Sequence, residues 1–160
     1  MLNFLKKMFE SNPKYSIGSL ENPQDVRNID IAQVQTPIEI PKSYKTDLKV
    51  FGVEDQSIHP ACVGFSFAKY AEYLIFKNHN VLTRVEGLEL YKKAKKEDGI
   101  PTTDGTYPVV MAKIVVRDGV KDIEGKTYKI ATGYAFVQPD IEAIKQAIYQ
   151  NGCIEFWVLD

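Results

Sequence analysis

The sequence is poor in the residue types on which several common functions depend. It has only two cysteines, Cys62 and Cys153, and only two histidines, His59 and His79. Two cysteines are too few for the disulfide framework of a small secreted protein, which favours a reducing compartment. We therefore expect a cytoplasmic protein, and we expect neither a cofactor nor a metal site.

Long apolar runs and an excess of one charge are also missing. No apolar stretch approaches the roughly 20 residues that a membrane-spanning helix needs, so no transmembrane segment is expected. The formal net charge of -1 gives no general electrostatic attraction to nucleic acid or to an anionic membrane. With 44% hydrophobic and 26% charged residues, the 160-residue chain has the composition of a globular protein.

The N-terminal residues, MLNFLKKMFE, predict a short amphipathic helix rather than a signal peptide. Apolar residues recur at helical spacing from Leu2 to Phe9, two lysines interrupt them, and no small-residue cleavage site follows. Residues 10 to about 45 are polar and contain prolines without a sustained period. This composition indicates an extended arm that leads into the fold.

Apolar periodicity predicts three helices, then two strands, a fourth helix and a final strand. The helices are expected at Pro60–Asn78, Val85–Lys96 and Pro108–Arg117, and after an N-cap at Asp140. Strands are expected at Tyr128–Ile130, at Tyr134–Val137 and in the final run CIEFWVL. The helices come first, and a β-containing part begins near residue 120.

The stretch DQSIHPACVGFSFAKY places a cysteine at the start of the first predicted helix. Pro60 suits the first helical position, which puts Cys62 in the first turn. Unpaired N–H groups and the positive end of the helix dipole stabilise a thiolate there. Gln56 precedes Cys62 across a turn that can bring its side-chain amide to an oxyanion beside the Cys62 N–H. The alternative is that Cys62 is a small core side chain, because cysteine is often buried.

This stretch resembles the active-site segment of papain-like cysteine peptidases, the papain and cathepsin family. The family has a glutamine, five intervening residues and then the nucleophilic cysteine on a buried helix, which Gln56 and Cys62 match. Ala61 fits the local signature, whereas Val63 replaces its usual aromatic residue, as in some bacterial and phage-type members. His59 stands where the family often has a disulfide cysteine, so the resemblance implies that this disulfide is absent.

Other segments carry the same resemblance. In TDGTYPVVMAKIVVRDGV, the residues Asp104, Gly105 and Thr106 match the family's Asn-Gly-Gly turn, whose backbone pairs with the substrate. By that match, Tyr107 and Pro108 are implied to line the pocket for the substrate side chain two residues before the scissile bond. Without the resemblance, these residues indicate an ordinary surface turn. The segments IPKSYKTDLKVFGVEDQ and YAFVQPDIEAIKQAIYQNGCIEFWVL are similar to the family's mature N-terminus and to the entry into its β-rich domain.

The resemblance covers residues 38–160 and implies an α+β, papain-like fold. It divides the chain into an N-terminal arm or short pro-segment (residues 1–38), a helical domain with the nucleophile helix (residues 39–120) and the start of a β-rich domain (residues 121–160). The β-rich domain looks incomplete, because the last predicted strand ends with the sequence.

The resemblance implies a cysteine-type peptidase that forms an acyl-enzyme at Cys62 on a peptide or protein substrate. In the family a histidine and an asparagine follow the cysteine by about 130–150 residues, which is beyond Asp160. His59, in the predicted turn, and His79, near a helix end, do not match that histidine. We therefore expect a C-terminal companion chain, a homo-oligomer, or a truncated or nicked product. The alternative is a non-catalytic peptide-binding or interaction protein derived from the same fold.

Overall fold

A computed structural model describes residues 19–25, 28–47 and 52–154 of the chain. Within these residues, four α-helices and one two-stranded antiparallel sheet form the regular structure, which is compatible with the predicted α+β class. The predicted helix at Leu2–Phe9 lies outside the described residues, as does most of the predicted strand CIEFWVL. Cys153 and Ile154, the described part of that run, are not in a strand.

The elements follow one another as predicted, with three α-helices before the small sheet and one after it. A 3-10 helix occupies Ile31–Gln33. The four helices are α1 (Cys62–His79), α2 (Gly87–Lys95), α3 (Pro108–Asp118) and α4 (Ile141–Asn151), and the strands are β1 (Val120–Lys121) and β2 (Thr127–Tyr128). All four predicted helices are confirmed, and their bounds shift by only a few residues.

The predicted strand at Tyr134–Val137 is wrong. This segment makes a single isolated bridge, between Phe136 and Asp30 of the arm. The Phe136 N–H donates to the Ile29 carbonyl and the Ile31 N–H donates to the Phe136 carbonyl. Because the arm turns into the 3-10 helix directly after this bridge, the segment has no continuing partner along which to extend a ladder.

Local caps explain where several helices start and stop. The Asp140 carboxylate accepts hydrogen bonds from the N–H groups of Glu142 and Ala143, so the predicted N-cap of α4 is confirmed. Pro108 occupies the first position of α3, where its missing N–H costs nothing. At the end of α1, Asn80 adopts a left-handed conformation and its N–H bonds to the Phe76 carbonyl.

The core lies along α1, which α2 and α3 cover. Its buried apolar side chains come from all three helices and from the hairpin, and they include Phe67, Ile75, Leu90, Met111, Ile114 and Tyr128. Two glycines allow α1 and α2 to touch through their backbones. A Cβ at Gly64 would lie only 2.3 Å from the Gly87 carbonyl oxygen, so this crossing excludes any larger residue.

The arm runs over the surface and is fastened to α4 by amide side chains. Gln146 Nε2 donates to the Ile38 carbonyl at 2.6 Å, and the Ile38 N–H donates back to Gln146 Oε1 at 3.2 Å. Gln35 and Asn151 exchange a second pair of amide hydrogen bonds. None of the described helices combines the length and the apolar character needed to span a membrane.

Candidate active site

Cys62 is the first residue of α1. The preceding residue, Ala61, is fully buried and forms the cap position. Cys62 itself is half-buried and packs against the edge of the core, and neither it nor Cys153 forms a disulfide. The structure therefore places the thiol at a helix start, as the sequence predicts, and leaves part of its surface accessible.

A compact turn carries Gln56 towards the start of α1. The His59 N–H donates to the Gln56 carbonyl at 3.1 Å, and the Ala61 N–H donates to the His59 carbonyl at 2.8 Å. Ser57 takes a positive φ of 51°, and its N–H donates to the Asp55 carboxylate at 2.7 Å. The predicted turn between Gln56 and Cys62 is thus present, and it shortens the path between the two residues.

A partly buried charge network fixes the segment just before Gln56. Glu54 accepts from Lys69 of α1 at 3.1 Å and from Arg84 at 3.2 Å. The same Lys69 ammonium lies 3.0 Å from Glu72, whose side chain is fully buried and also accepts the Val85 N–H at 3.1 Å. The loop that carries Gln56 is therefore tied to the helix that carries Cys62 two turns from its start.

The Asp104–Thr106 turn directly precedes α3. Gly105 has a φ of 80°, which favours glycine, and Thr106 is fully buried. The Thr106 hydroxyl donates to Asp98 at 3.0 Å, and the Gly105 carbonyl accepts from Lys95 at 3.0 Å. Asp104 is exposed, so the turn presents its first residue to solvent and anchors its last.

Tyr91 of α2 connects this turn to the start of α1. A Cβ built at Gly64, two residues after Cys62, would lie 2.8 Å from the Tyr91 Cβ, so the two helices meet there. Burial raises the pKa of the Tyr91 hydroxyl, although a hydrogen bond with the Gly105 backbone and the nearby Lys95 ammonium act in the opposite direction. Sequence reasoning missed Tyr91, because on α2 it is one aromatic residue among charged ones.

The arm occupies the backbone edge of Thr106. Leu20 donates its N–H to the Thr106 carbonyl at 3.1 Å, and Ser19 pairs with Thr106 in a parallel bridge. Asn22 Oδ1 then accepts the Val109 N–H at 2.9 Å, in the first turn of α3. Arm residues 19–22 therefore lie on the turn that the sequence predicts to pair with a peptide.

A cavity of about 610 Å³ opens beside these residues. Of the predicted site residues, Pro108 is in its wall, together with Phe67 and Tyr70 of α1, whereas Cys62 and Gln56 are not. The wall is mostly apolar, and among the described residues that line it there is no lysine, arginine, aspartate or glutamate. The predicted residues thus fall in two places, one at the start of α1 and one at the turn before α3.

The two histidines occupy different places relative to Cys62. His79 is the last residue of α1, about 25 Å from Cys62 at 1.5 Å rise per residue, and its ring lies 5.4 Å from that of Tyr128. His59 is exposed in the turn, where the sequence predicts a solvent-facing histidine. In the described part of the chain, no group of three histidine, cysteine or acidic residues is arranged to hold a metal ion.

We compared the sequence with protein-family models and with curated proteins. No family model matches it, and no curated protein matches it significantly.

Proposed function

We propose that this chain carries the nucleophile of a papain-like cysteine peptidase, in a helical domain followed by the start of a β-rich domain. The observation that carries the proposal is the position of Cys62 as the first residue of α1, directly after the Gln56–His59 turn. A helix start favours the thiolate, which is the attacking form of cysteine. The sequence resemblance adds the glutamine and its spacing from the cysteine.

The chemistry is acyl transfer in two steps. The Cys62 thiolate attacks the peptide carbonyl, and the amine leaves with a proton once the tetrahedral intermediate collapses to a thioester. Water then attacks the thioester, releasing the carboxylic acid and the thiol. The Cys62 N–H and the Gln56 side-chain amide would donate to the oxyanion in both steps.

The proton for the leaving amine has to come from a general acid, a role that histidine fills most often. His79 lies at the far end of α1, and His59 sits on a turn before Cys62. We therefore place the catalytic histidine and its orienting asparagine outside residues 1–160.

The peptide substrate would pair with the Thr106 backbone. In this structure Leu20 already uses the Thr106 carbonyl, so the arm acts as a short pro-segment that a substrate must displace. Asp104, Gly105 and Thr106 would form the pairing edge, and Tyr107 and Pro108 would contact a substrate side chain. Pro108 is in the wall of the cavity, which suits an apolar side chain.

A second candidate is a peptide-binding protein without catalysis. It is favoured by one observation, the two hydrogen bonds that join the arm to Thr106 and Val109, since they use this edge to hold a segment of polypeptide. Such a protein would need the edge at Thr106 but not the thiol of Cys62.

An activated ester separates these functions. The p-nitrophenolate of an N-acylpeptidyl p-nitrophenyl ester leaves without a general acid, so a thiolate alone can acylate. The full chain should release a burst of p-nitrophenolate equal to one molecule per chain, yet turn over the matching p-nitroanilide very slowly. Cys62→Ala should abolish the burst, and the control Cys153→Ala should retain it.

Three outcomes would overturn this account. An equal burst from Cys62→Ala would show that the acylated group lies elsewhere. Peptide binding without any burst would establish the non-catalytic candidate. Rapid anilide turnover that His59→Ala removes would make His59 the base and would eliminate the need for a partner.

A further inference from the structure

The loop between α2 and α3 is built around a positive charge. Lys95, the last residue of α2, donates to Asp98 Oδ2 at 2.7 Å and to the carbonyl oxygens of Ile100 at 2.8 Å, Thr103 at 2.9 Å and Gly105 at 3.0 Å. Four oxygens therefore surround one ammonium, which has three N–H groups to share among them.

This ammonium differs from the other lysines of α2. The Lys95 side chain is 15% exposed, and the carboxylate of its partner Asp98 is fully buried. Lys92 and Lys93 are 56% and 40% exposed and make single ion pairs with Glu89 and Asp118. Exposed pairs of this kind contribute little, whereas a buried charge must be fully satisfied by its surroundings.

The oxygens around Lys95 belong to the segment that ends at the pairing edge. Gly105 gives its carbonyl to Lys95, and Thr106 gives its hydroxyl hydrogen to Asp98. The Ile100 N–H also donates to Asp98, at 3.0 Å. The chain from Ile100 to Thr106 therefore surrounds the Lys95–Asp98 pair. The Thr106 carbonyl accepts a hydrogen bond from the Leu20 N–H of the arm.

We infer that residues 98–105 form an internal cation-binding loop occupied by the Lys95 ammonium, and that Lys95 is a positioning residue for the peptide-pairing edge at Thr106. This inference rests on the proposed function for its role in substrate binding. The shape of the loop itself requires only that a primary ammonium group occupies the position of the Lys95 ammonium. A neutral side chain of equal length leaves four oxygens without their donor, and the turn loses its fixed shape.

The first experiment uses hydrogen exchange on the full chain and its variants. Lys95→Met removes the charge and keeps the length, and Lys92→Met is the matched control on the same helix. In Lys95→Met the Leu20 N–H should exchange at least about tenfold faster. The reason is that the hydrogen bonds from the Lys95 ammonium that hold the segment before Thr106 are lost, which loosens the carbonyl that Leu20 binds. The Asp122 N–H, which donates to the Lys126 carbonyl in the hairpin, should keep its rate.

Chemical rescue tests the cation itself. In Lys95→Ala, added propylammonium should restore protection of the Leu20 N–H in a saturable way, whereas butanol should not. The peptidyl ester then tests the positioning role. Lys95→Met should raise the half-saturating ester concentration about tenfold, leave the acylation rate at saturation unchanged, and leave the iodoacetamide rate of Cys62 unchanged.

Unchanged exchange at Leu20 in Lys95→Met would overturn the inference. Equal acceleration at Leu20 and Asp122, or failure of both Lys95 variants to fold even with propylammonium, would make Lys95 a general stability residue instead. The exchange and rescue results do not depend on any reaction at Cys62. If the wild type shows no ester burst but propylammonium rescues exchange, the proposed function fails and the cation-binding loop stands.

Discussion

Leu20 of the N-terminal arm donates its backbone N–H to the carbonyl oxygen of Thr106 at 3.1 Å. The adjoining bridge between Ser19 and Thr106 is parallel. Because one carbonyl edge serves one neighbouring strand at a time, the arm and a peptide substrate would compete for this position. Release of the arm is therefore the step that should control access to the proposed site.

Asn22 offers a way to loosen the arm without touching the turn. Its Oδ1 caps the Val109 N–H in the first turn of α3, and loss of such a cap costs about 1 kcal/mol. Asn22→Ala should therefore lower the half-saturating concentration of the peptidyl ester about fivefold. The exposed Gln24 provides the control, since Gln24→Ala should change nothing. Weaker ester binding by Asn22→Ala would show that the arm supports the edge rather than covering it.

The alkylation rates of the two thiols should depend differently on pH. Burial raises the pKa of Cys153 to about 12, and the nearby Lys77 offsets this only in part. Cys153 thus stays a neutral thiol through the mildly alkaline range, whereas Cys62 at the start of α1 should alkylate near neutral pH. Iodoacetamide rates of Cys62→Ala and Cys153→Ala from pH 6 to 10 measure this directly. Equal rate profiles in the two variants would restore the interpretation of Cys62 as a core thiol.

The helices could be predicted because their signals are local. Asp140 caps the N–H groups two and three residues later, and Pro108 sits in the first turn of its own helix. The strand predicted at Tyr134–Val137 depended instead on a partner far away in the sequence. That partner is the arm near Asp30, which offers only one bridge, and nothing in the alternation of the segment reveals this.

The residues of the candidate site could likewise be predicted only where their signals are local. The sequence located Cys62 at a helix start and Gln56 before a turn, because both follow from short-range patterns. It could not find Tyr91 or Lys95, whose roles come from contacts with a loop that folds back over α2. On the sequence both look like ordinary residues of an amphipathic helix, and only the packing of the loop distinguishes Lys95 from Lys92.

The buried carboxylate of Glu72 should be among the most important polar groups for stability. It is fully buried and accepts from the Val85 N–H and the Lys69 ammonium. Glu72→Ala leaves both donors without this acceptor, and we expect a loss of about 3 kcal/mol in the free energy of unfolding. Urea denaturation measures the loss. Glu89→Ala, which breaks only an exposed pair with Lys92, should cost less than about 0.5 kcal/mol.

A similar loss from both glutamate variants would contradict this account, since it would mean that burial of Glu72 adds nothing. If only Glu72→Ala lowers the free energy of unfolding, this variant should also show slower acylation of Cys62 by the ester. The reason is that Lys69 links Glu72 to Glu54, two residues before Gln56.

Acid should release the loop around Lys95 by protonating Asp98. Burial opposes ionisation of this carboxyl, but hydrogen bonds from Lys95, the Ile100 N–H and Thr106 outweigh it and lower its pKa. A carboxyl whose pKa is lower in the folded state stabilises the fold above its unfolded pKa, which is about 4. That contribution is lost as the pH falls through the lowered, folded value.

Asp98→Asn isolates this contribution, because the amide keeps the shape and removes the charge. Other ionisable groups near the loop include Tyr91, whose pKa is raised by burial, the exposed Asp104, and Glu97, whose pKa is lowered by its hydrogen bond with Arg117. Between pH 7 and 5 the variant should be less stable than the wild type by a constant amount in urea denaturation. Below about pH 4 the two stabilities should converge, because the wild-type carboxyl becomes neutral as well. A gap that stays constant down to pH 2 would show that the amide weakens the loop for a reason other than the lost charge, and that the charge of Asp98 does not hold Lys95.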